Sequence, residues 1–132
     1  MDKPIASMLR ERAITVDMDA TLEQVEEVLR LNNLSAVPVV ERRDGSVLGI
    51  ISARDLAHLA PEKRQAGAVH AWEICSYKPV EVDPGASVGD VARLMVERGI
   101  HHVVVTDNKT VNGVVSSLDF VRQFIEEGEK EG

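Results

Sequence analysis

Residues 15–40 and 81–106 of this chain lie over each other without a gap, at an offset of 66 (81 − 15). TVDMDATLEQVEEVLRLNNLSAVPVV then matches EVDPGASVGDVARLMVERGIHHVVVT. Val16/Val82, Asp17/Asp83, Ala20/Ala86, Val25/Val91, Val37/Val103 and Val39/Val105 are identical. Further on, GIISARD (49–55) returns as GVVSSLD (113–119), now at an offset of 64 (113 − 49). The change falls where ERRDGSVL is answered by the shorter DNKTVN, and turns tolerate length changes. Whatever one half folds into, the other must fold into as well. A unit of about 55 residues buries too little surface to be stable alone. Two units pressed sheet to sheet would solve that.

Each half reads as strand–helix–strand–strand–helix, an α/β unit. Thr15-Val16 and Val80–Val82 are expected as short first strands. Thr21 and Gln24 form a capping-box signal. Leu22, Val25, Val28 and Leu29 then make a helical stripe, repeated by Val88, Val91, Leu94 and Met95 after Ser87. Asn32-Asn33 and Gly99 tolerate the left-handed conformation that ends a helix. The apolar runs 36–40 and 103–105 read as strands buried on both faces. Asp44-Gly45 signals a tight turn, followed by strands over 47–51 and 111–115. Ser52 and Ser116 open second helices, with Leu56, Leu59, Phe120, Val121 and Phe124 expected to face inward. The boundaries are a first repeat at 1–60, a linker at 61–70, a second repeat at 71–127 and a tail at 128–132. The end, EEGEKEG, is expected to be frayed. Met1–Arg12 and Ala71–Tyr77 are matching lead-in segments, each with a short helix.

Composition limits the function classes. Of the 132 residues 44% are hydrophobic but only 3% aromatic, so aliphatic packing must carry the core. With 15 Lys+Arg against 22 Asp+Glu, the formal charge is −7. Phosphate-backbone binding needs a basic surface and single-strand binding needs aromatic platforms, so nucleic acid is not an expected partner. No apolar stretch reaches signal-peptide or membrane-span length, and membrane insertion is not expected. Cys75 is the only cysteine, which leaves no intrachain disulfide or cysteine metal cluster; its apolar neighbours imply a buried, unreactive thiol. These features together imply a cytoplasmic protein. Serines at helix caps without a Gly-x-Ser-x-Gly elbow argue against an enzyme. His101 and His102 are adjacent on a strand and point opposite ways, which argues against a metal site.

GIISARD and GVVSSLD, each inside its repeat, resemble the Gly-x-hydrophobic-Ser/Thr-x-x-Asp signature of the CBS domain, named for cystathionine β-synthase. VPVV and KPVEVDPGASV are similar to the family's other segments. Over roughly residues 1–127 the chain resembles a tandem CBS pair, a Bateman module. The resemblance implies pseudo-two-fold symmetry and two clefts that take AMP, ADP, ATP, S-adenosylmethionine or NAD as ligand, with no cofactor. It implies that Asp55 and Asp119 receive ribose hydroxyls and that Ser52 and Ser116 lie near ribose or phosphate. His101, His102 and Arg54 would reach phosphate, and Ile14, Pro79 and Val80 would line the adenine. A homodimer and an unidentified regulated protein are implied as well.

The same residues admit plainer roles. Ser-x-x-Asp is itself a capping-box variant, with Ser52 and Ser116 as caps and Asp55 and Asp119 favourable in the first turn. The two roles are compatible, because a helix start also attracts anions. The histidines can be ordinary half-buried residues and Arg54 an exposed one, while Ile14, Pro79 and Val80 can be core wall. Trp72 and Tyr77 are read as lead-in packing, with a dimer contact as the alternative. The alternative function is a ligand-free protein-interaction or dimerisation module. Ser35-Ala36, standing where the second repeat has its histidines, favours that alternative for the first cleft and makes the Asp119 corner the stronger expected site. Apolar stripes on both sides of thin sheets leave surface for a homodimer to cover.

Overall fold

The computed structural model describes residues 1–9, 12–65 and 69–131, which form two compact units. The first repeat supplies β1 (Val16–Asp17), α1 (Leu22–Leu31), β2 (Ala36–Val40), β3 (Val47–Ser52) and α2 (Ala53–Ala57). Next come α3 (Pro61–Gln65), α4 (Ala71–Ile74) and β4 (Ser76–Tyr77). The second repeat supplies β5 (Glu81–Val82), α5 (Val88–Arg98), β6 (His102–Asp107), β7 (Thr110–Ser116) and α6 (Ser117–Glu131). One sheet has the order β1-β2-β3-β4 and the other β5-β6-β7. β1 runs parallel to β2 and β5 to β6, whereas β2 and β3 are antiparallel.

The helices start and stop where their residues dictate. The Thr21 hydroxyl accepts the Gln24 amide (3.2 Å), while the Gln24 side-chain oxygen accepts the Thr21 amide (2.9 Å). Two otherwise orphan donors are thereby satisfied. Leu22, Val25 and Leu29 are buried against Val37, Val39, Ile51 and Leu56, with Val28 packed alongside. In the second repeat Val88, Val91 and Met95 meet Val103, Val105 and Val115. Full burial of each such aliphatic side chain is worth about 1.5–3 kcal/mol. Asn33 (φ 52°) and Gly99 (φ 63°) take the left-handed turns that end α1 and α5. Asn108 and Lys109, at φ 49° and 69°, make a two-residue hairpin turn. Its counterpart is longer: Gly45 (φ 72°) sits in a loop closed by the Glu41 amide donating to the Ser46 carbonyl. That difference in loop length is the change of offset seen in the sequence.

Chain order and packing part company at the lead-in segments. Ile14–Pro79 with Lys109–Val111 form one unit; Met1–Ala13 pack with Val80–Asn108 and Asn112–Gly132 in the other. Three pairs of hydrogen bonds, related by the 66-residue offset, make this exchange. The Ile5 amide donates to the Ala86 carbonyl (2.7 Å), as Ala71 does to Ala20 (2.8 Å). Ala6 donates to Pro84 and Trp72 to Met18, both at 3.1 Å. Val88 donates to Lys3 (2.9 Å) and Leu22 to Val69 (2.8 Å). Ile5 and Ala71 are fully buried. The glycine that opens each signature leaves room for the incoming segment. A Cβ at Gly49 would stand 2.6 Å from Cys75 Sγ and 2.7 Å from the Ser76 carbonyl oxygen; one at Gly113 would stand 2.8 Å from Leu9 Cδ2.

Several expectations are corrected. The EEGEKEG end is not frayed but continues α6 to Glu131, with Gln123 donating to Glu127 one turn on (3.1 Å). Val121 and Phe124 are exposed, at 52% and 78%, and only Phe120 packs against the core. Asp119, held to Ser116 at the start of α6, belongs with Phe120, Gln123 and Glu127 to the half-buried side of the helix. Leu118, Val121 and Ile125 consequently fall on the exposed side. Trp72 and Tyr77 are exposed, and the Tyr77 hydroxyl donates to the Trp72 carbonyl. Cys75 is half-buried rather than buried, and that burial pushes its thiol up. Within the expected linker, 61–65 is helical and Val69 is buried, while 66–68 lie outside the described residues. No helix among the described residues is long and apolar enough to cross a membrane.

Candidate functional site

In both repeats the Ser-x-x-Asp motif turns from a strand into a helix at one end of the sheet. Ala36 pairs with Ser52, and Val16 with Val39, so Ile14, two residues before Val16, stands at the same end as Ser52. The Ala53 amide donates to the Ser35 carbonyl (2.9 Å), closing the corner. The second corner is closed in the same way, by the Ser117 amide donating to the His101 carbonyl (2.9 Å). Val80 comes to that end through its carbonyl, which accepts the Val104 amide (2.9 Å). Ile14 and Val80 are half-buried against the cores of their respective units. Pro79 is half-buried and grouped with the first unit. His102 is half-buried on β6, and Arg54 is exposed on α2.

The two aspartates end in different states. Ser52 Oγ accepts the Asp55 amide (3.0 Å). The Asp55 side chain is exposed, and its carboxylate takes no donor among the described residues. Asp119 closes a full capping box. Its Oδ2 accepts both the Ser116 amide (2.7 Å) and the Ser116 hydroxyl (3.0 Å), while Ser116 Oγ accepts the Asp119 amide (3.3 Å). Its Oδ1 receives Arg122 Nη1 at 3.3 Å. The capping role is therefore realised at both corners, and at the second it occupies the carboxylate.

Sequence reasoning missed Arg122, Ser117 and His58. The i,i+3 spacing of Asp119 and Arg122 was a usable signal. Ser117 Oγ lies 3.5 Å from His101 Nδ1, which brings that histidine beside the corner. The position matching Arg122 at the 64-residue offset is His58, whose Nδ1 donates to the Arg54 carbonyl (2.8 Å) instead of pairing with Asp55. Among the described residues no group of three or more His, Cys, Asp or Glu is arranged to hold a metal ion.

The family model for the CBS domain matches this chain twice, over residues 5–62 and 71–126. The chain belongs to the CBS domain family. As a CBS pair it is 24% identical over 115 residues to the CBS domain-containing protein YhcV of Bacillus subtilis, covering 87% of this chain and 81% of YhcV. It is 31% identical over 87 residues to YlbB of the same bacterium, covering 66% of this chain but only 59% of YlbB. The CBS domain pair of protein MJ0100, solved in complex with 5′-methylthioadenosine and S-adenosyl-L-methionine, superposes with a TM-score of 0.82 at 24% identity. That match covers 96% of this chain and 99% of the other. CBSX2 in complex with AMP gives 0.79 at 19% identity, over 96% and 98% of the two chains. These likenesses show the fold.

Proposed function

We propose that this CBS pair is a regulatory module that holds an adenosine-containing ligand at its Ser-x-x-Asp corners and passes occupancy on to a partner protein. The observation that carries this reading is the Asp55 corner. An exposed carboxylate without a donor among the described residues stands next to the Arg54 cation, at the sheet end that holds Ile14. A carboxylate has about four lone-pair sites, enough to accept both ribose hydroxyls. Arg54 supplies charge for a phosphate, and Ile14 an apolar wall for adenine. At the second corner His101 stands for the cation and Val80 for the wall, with Ser116 and His102 as lining residues; Ser52 lines the first corner. AMP, ADP and ATP suit the cationic groups best; S-adenosylmethionine and NAD share the adenosine. The adenosyl ligands held by MJ0100 and CBSX2 support the same class. The reading is regulatory rather than catalytic.

Thermal melts with AMP, ATP, NAD and S-adenosylmethionine test it. A true ligand at about 100 times its Kd adds about 2.7 kcal/mol of stability; no shift with any of the four overturns the proposal. Calorimetry then places the ligand. Asp55→Asn weakens AMP by about ten- to a hundredfold by removing a charge-assisted contact. Asp119→Asn weakens it less, because a ligand there displaces bonds that Asp119 already makes. Unchanged affinity in both folded variants would make the motif architectural.

One observation favours a homodimer beside this role. Leu118, Val121, Phe124 and Ile125 are 51–78% exposed on α6, and contiguous apolar surface of this kind marks interaction sites. Sedimentation at micromolar concentration is expected to give a dimer, and Phe124→Glu a monomer. A monomeric wild type would refute it.

A further inference from the structure

The segment between the repeats carries a side chain that ties two helices together. Arg64 of α3 reaches across the groove lined by Glu26, Leu29, Leu34, Ala53 and Leu56. Its Nη2 donates to the Leu56 carbonyl (2.5 Å) and its Nη1 to Glu26 Oε1 (2.9 Å). The Leu56 carbonyl belongs to the end of α2, a helix of five residues. The last carbonyls of any helix lack intrahelical partners, and a helix this short has little stability of its own. Side chains supply the deficit here: His58 donates to the Arg54 carbonyl and Arg64 to the Leu56 carbonyl, which also accepts the Leu59 amide (3.2 Å). Glu26, the other end of the tie, lies two residues beyond Gln24 in α1, whose start is fixed by the Thr21–Gln24 box. A guanidinium can hold two acceptors in a fixed fork, which an ammonium cannot. The matching helix of the second repeat, α6, runs for 15 residues on its own ladder.

We propose that Arg64 is a positioning residue for the Asp55 corner. By clamping the end of α2 to α1 it sets where the Asp55 carboxylate stands relative to Ser52 and the sheet end. The 61–65 segment is therefore coupled to what the first corner binds, and a ligand that draws on Asp55 loads the clamp in return. The coupling to ligand rests on the nucleotide reading given above; the clamp does not.

Two measurements on the full chain test the proposal separately. Without ligand, amide exchange at His58 and Leu59 is expected to speed up about tenfold in Arg64→Gln, the loss of one charge-assisted bond, and to return only part of the way in Arg64→Lys, whose ammonium does not hold both acceptors in one fork. Unchanged exchange overturns the clamp whether or not any nucleotide binds. With AMP, calorimetry of wild type, Arg64→Gln, Asp55→Asn and the double variant forms a cycle. Arg64→Gln alone is expected to weaken AMP about tenfold, Arg64→Lys to recover only part of that loss, and Arg64→Gln to add less than about twofold once Asp55 is Asn. A full tenfold loss in the Asp55→Asn background, or no loss in the single variant, overturns the positioning role. If AMP binds to none of these proteins the coupling to that nucleotide is overturned, and the exchange data alone uphold or overturn the clamp.

Discussion

GIISARD and GVVSSLD build the same corner with opposite outcomes for the carboxylate. In the second copy Asp119 is drawn back onto Ser116 and held there by Arg122. In the first, a histidine replaces that arginine and turns to the backbone, leaving the Asp55 carboxylate in solvent. The helix lengths differ as well, five residues against 15. A duplicated motif conserves backbone geometry; the side chains one turn later decide whether its charge is available.

The largest test of this comparison lies in the glycines. A Cβ at Gly49 would strike the Ser76 carbonyl and Cys75, which cannot retreat without moving β4, whereas Gly113 faces only the end of the Leu9 side chain. Gly49→Ala should cost about 2–3 kcal/mol by overpacking and Gly113→Ala about 1 or less, read from urea denaturation. Equal costs would mean that the lead-ins are held equally tightly.

Next in size are the caps. Ser116 both gives and accepts in its box, while Ser52 only accepts from Asp55. Ser116→Ala should cost about 1–2 kcal/mol and Ser52→Ala about 0.5–1, by thermal melts. A smaller contrast separates the acids: Asp119→Asn should cost about 0.5 kcal/mol, and Asp55→Asn should change stability by less than about 0.3. A larger loss at Asp55 would reveal a contact that its exposed carboxylate does not show.

The smallest effect concerns acid. The His70 amide donates to Glu73 at the start of α4 (2.7 Å) and holds its carboxyl below the usual carboxylate range. The folded value is lower than the unfolded one, so this stabilisation is complete above the unfolded value, about 4.3. It is lost as pH falls through the folded value. The other lead-in has Ser7 at the matching position, donating to the Pro4 carbonyl. Amides of Ala71–Ile74 should therefore lose exchange protection in acid sooner than those of Ile5–Met8, and Glu73→Gln should abolish the difference.

The sequence by itself determined the duplication, the helix starts at Thr21 and Ser87, the buried valine strands and the place of both Ser-x-x-Asp corners. These are local matters: caps, turn residues and apolar periodicity act within a few positions. Tertiary structure alone decided the exchange of lead-in segments. Pro4, Ile5, His70 and Ala71 carry no local sign of which repeat they serve; the choice rests on amides and carbonyls 66 residues apart in pattern and on the gaps left by Gly49 and Gly113. It also decided which face of α6 turns outward: Phe120, beside Asp119, is the residue that packs against the core, which leaves Val121 and Phe124 facing away from it. And it decided which aspartate stays open, since that depends on whether the residue one turn later reaches the carboxylate, as Arg122 does, or the backbone, as His58 does.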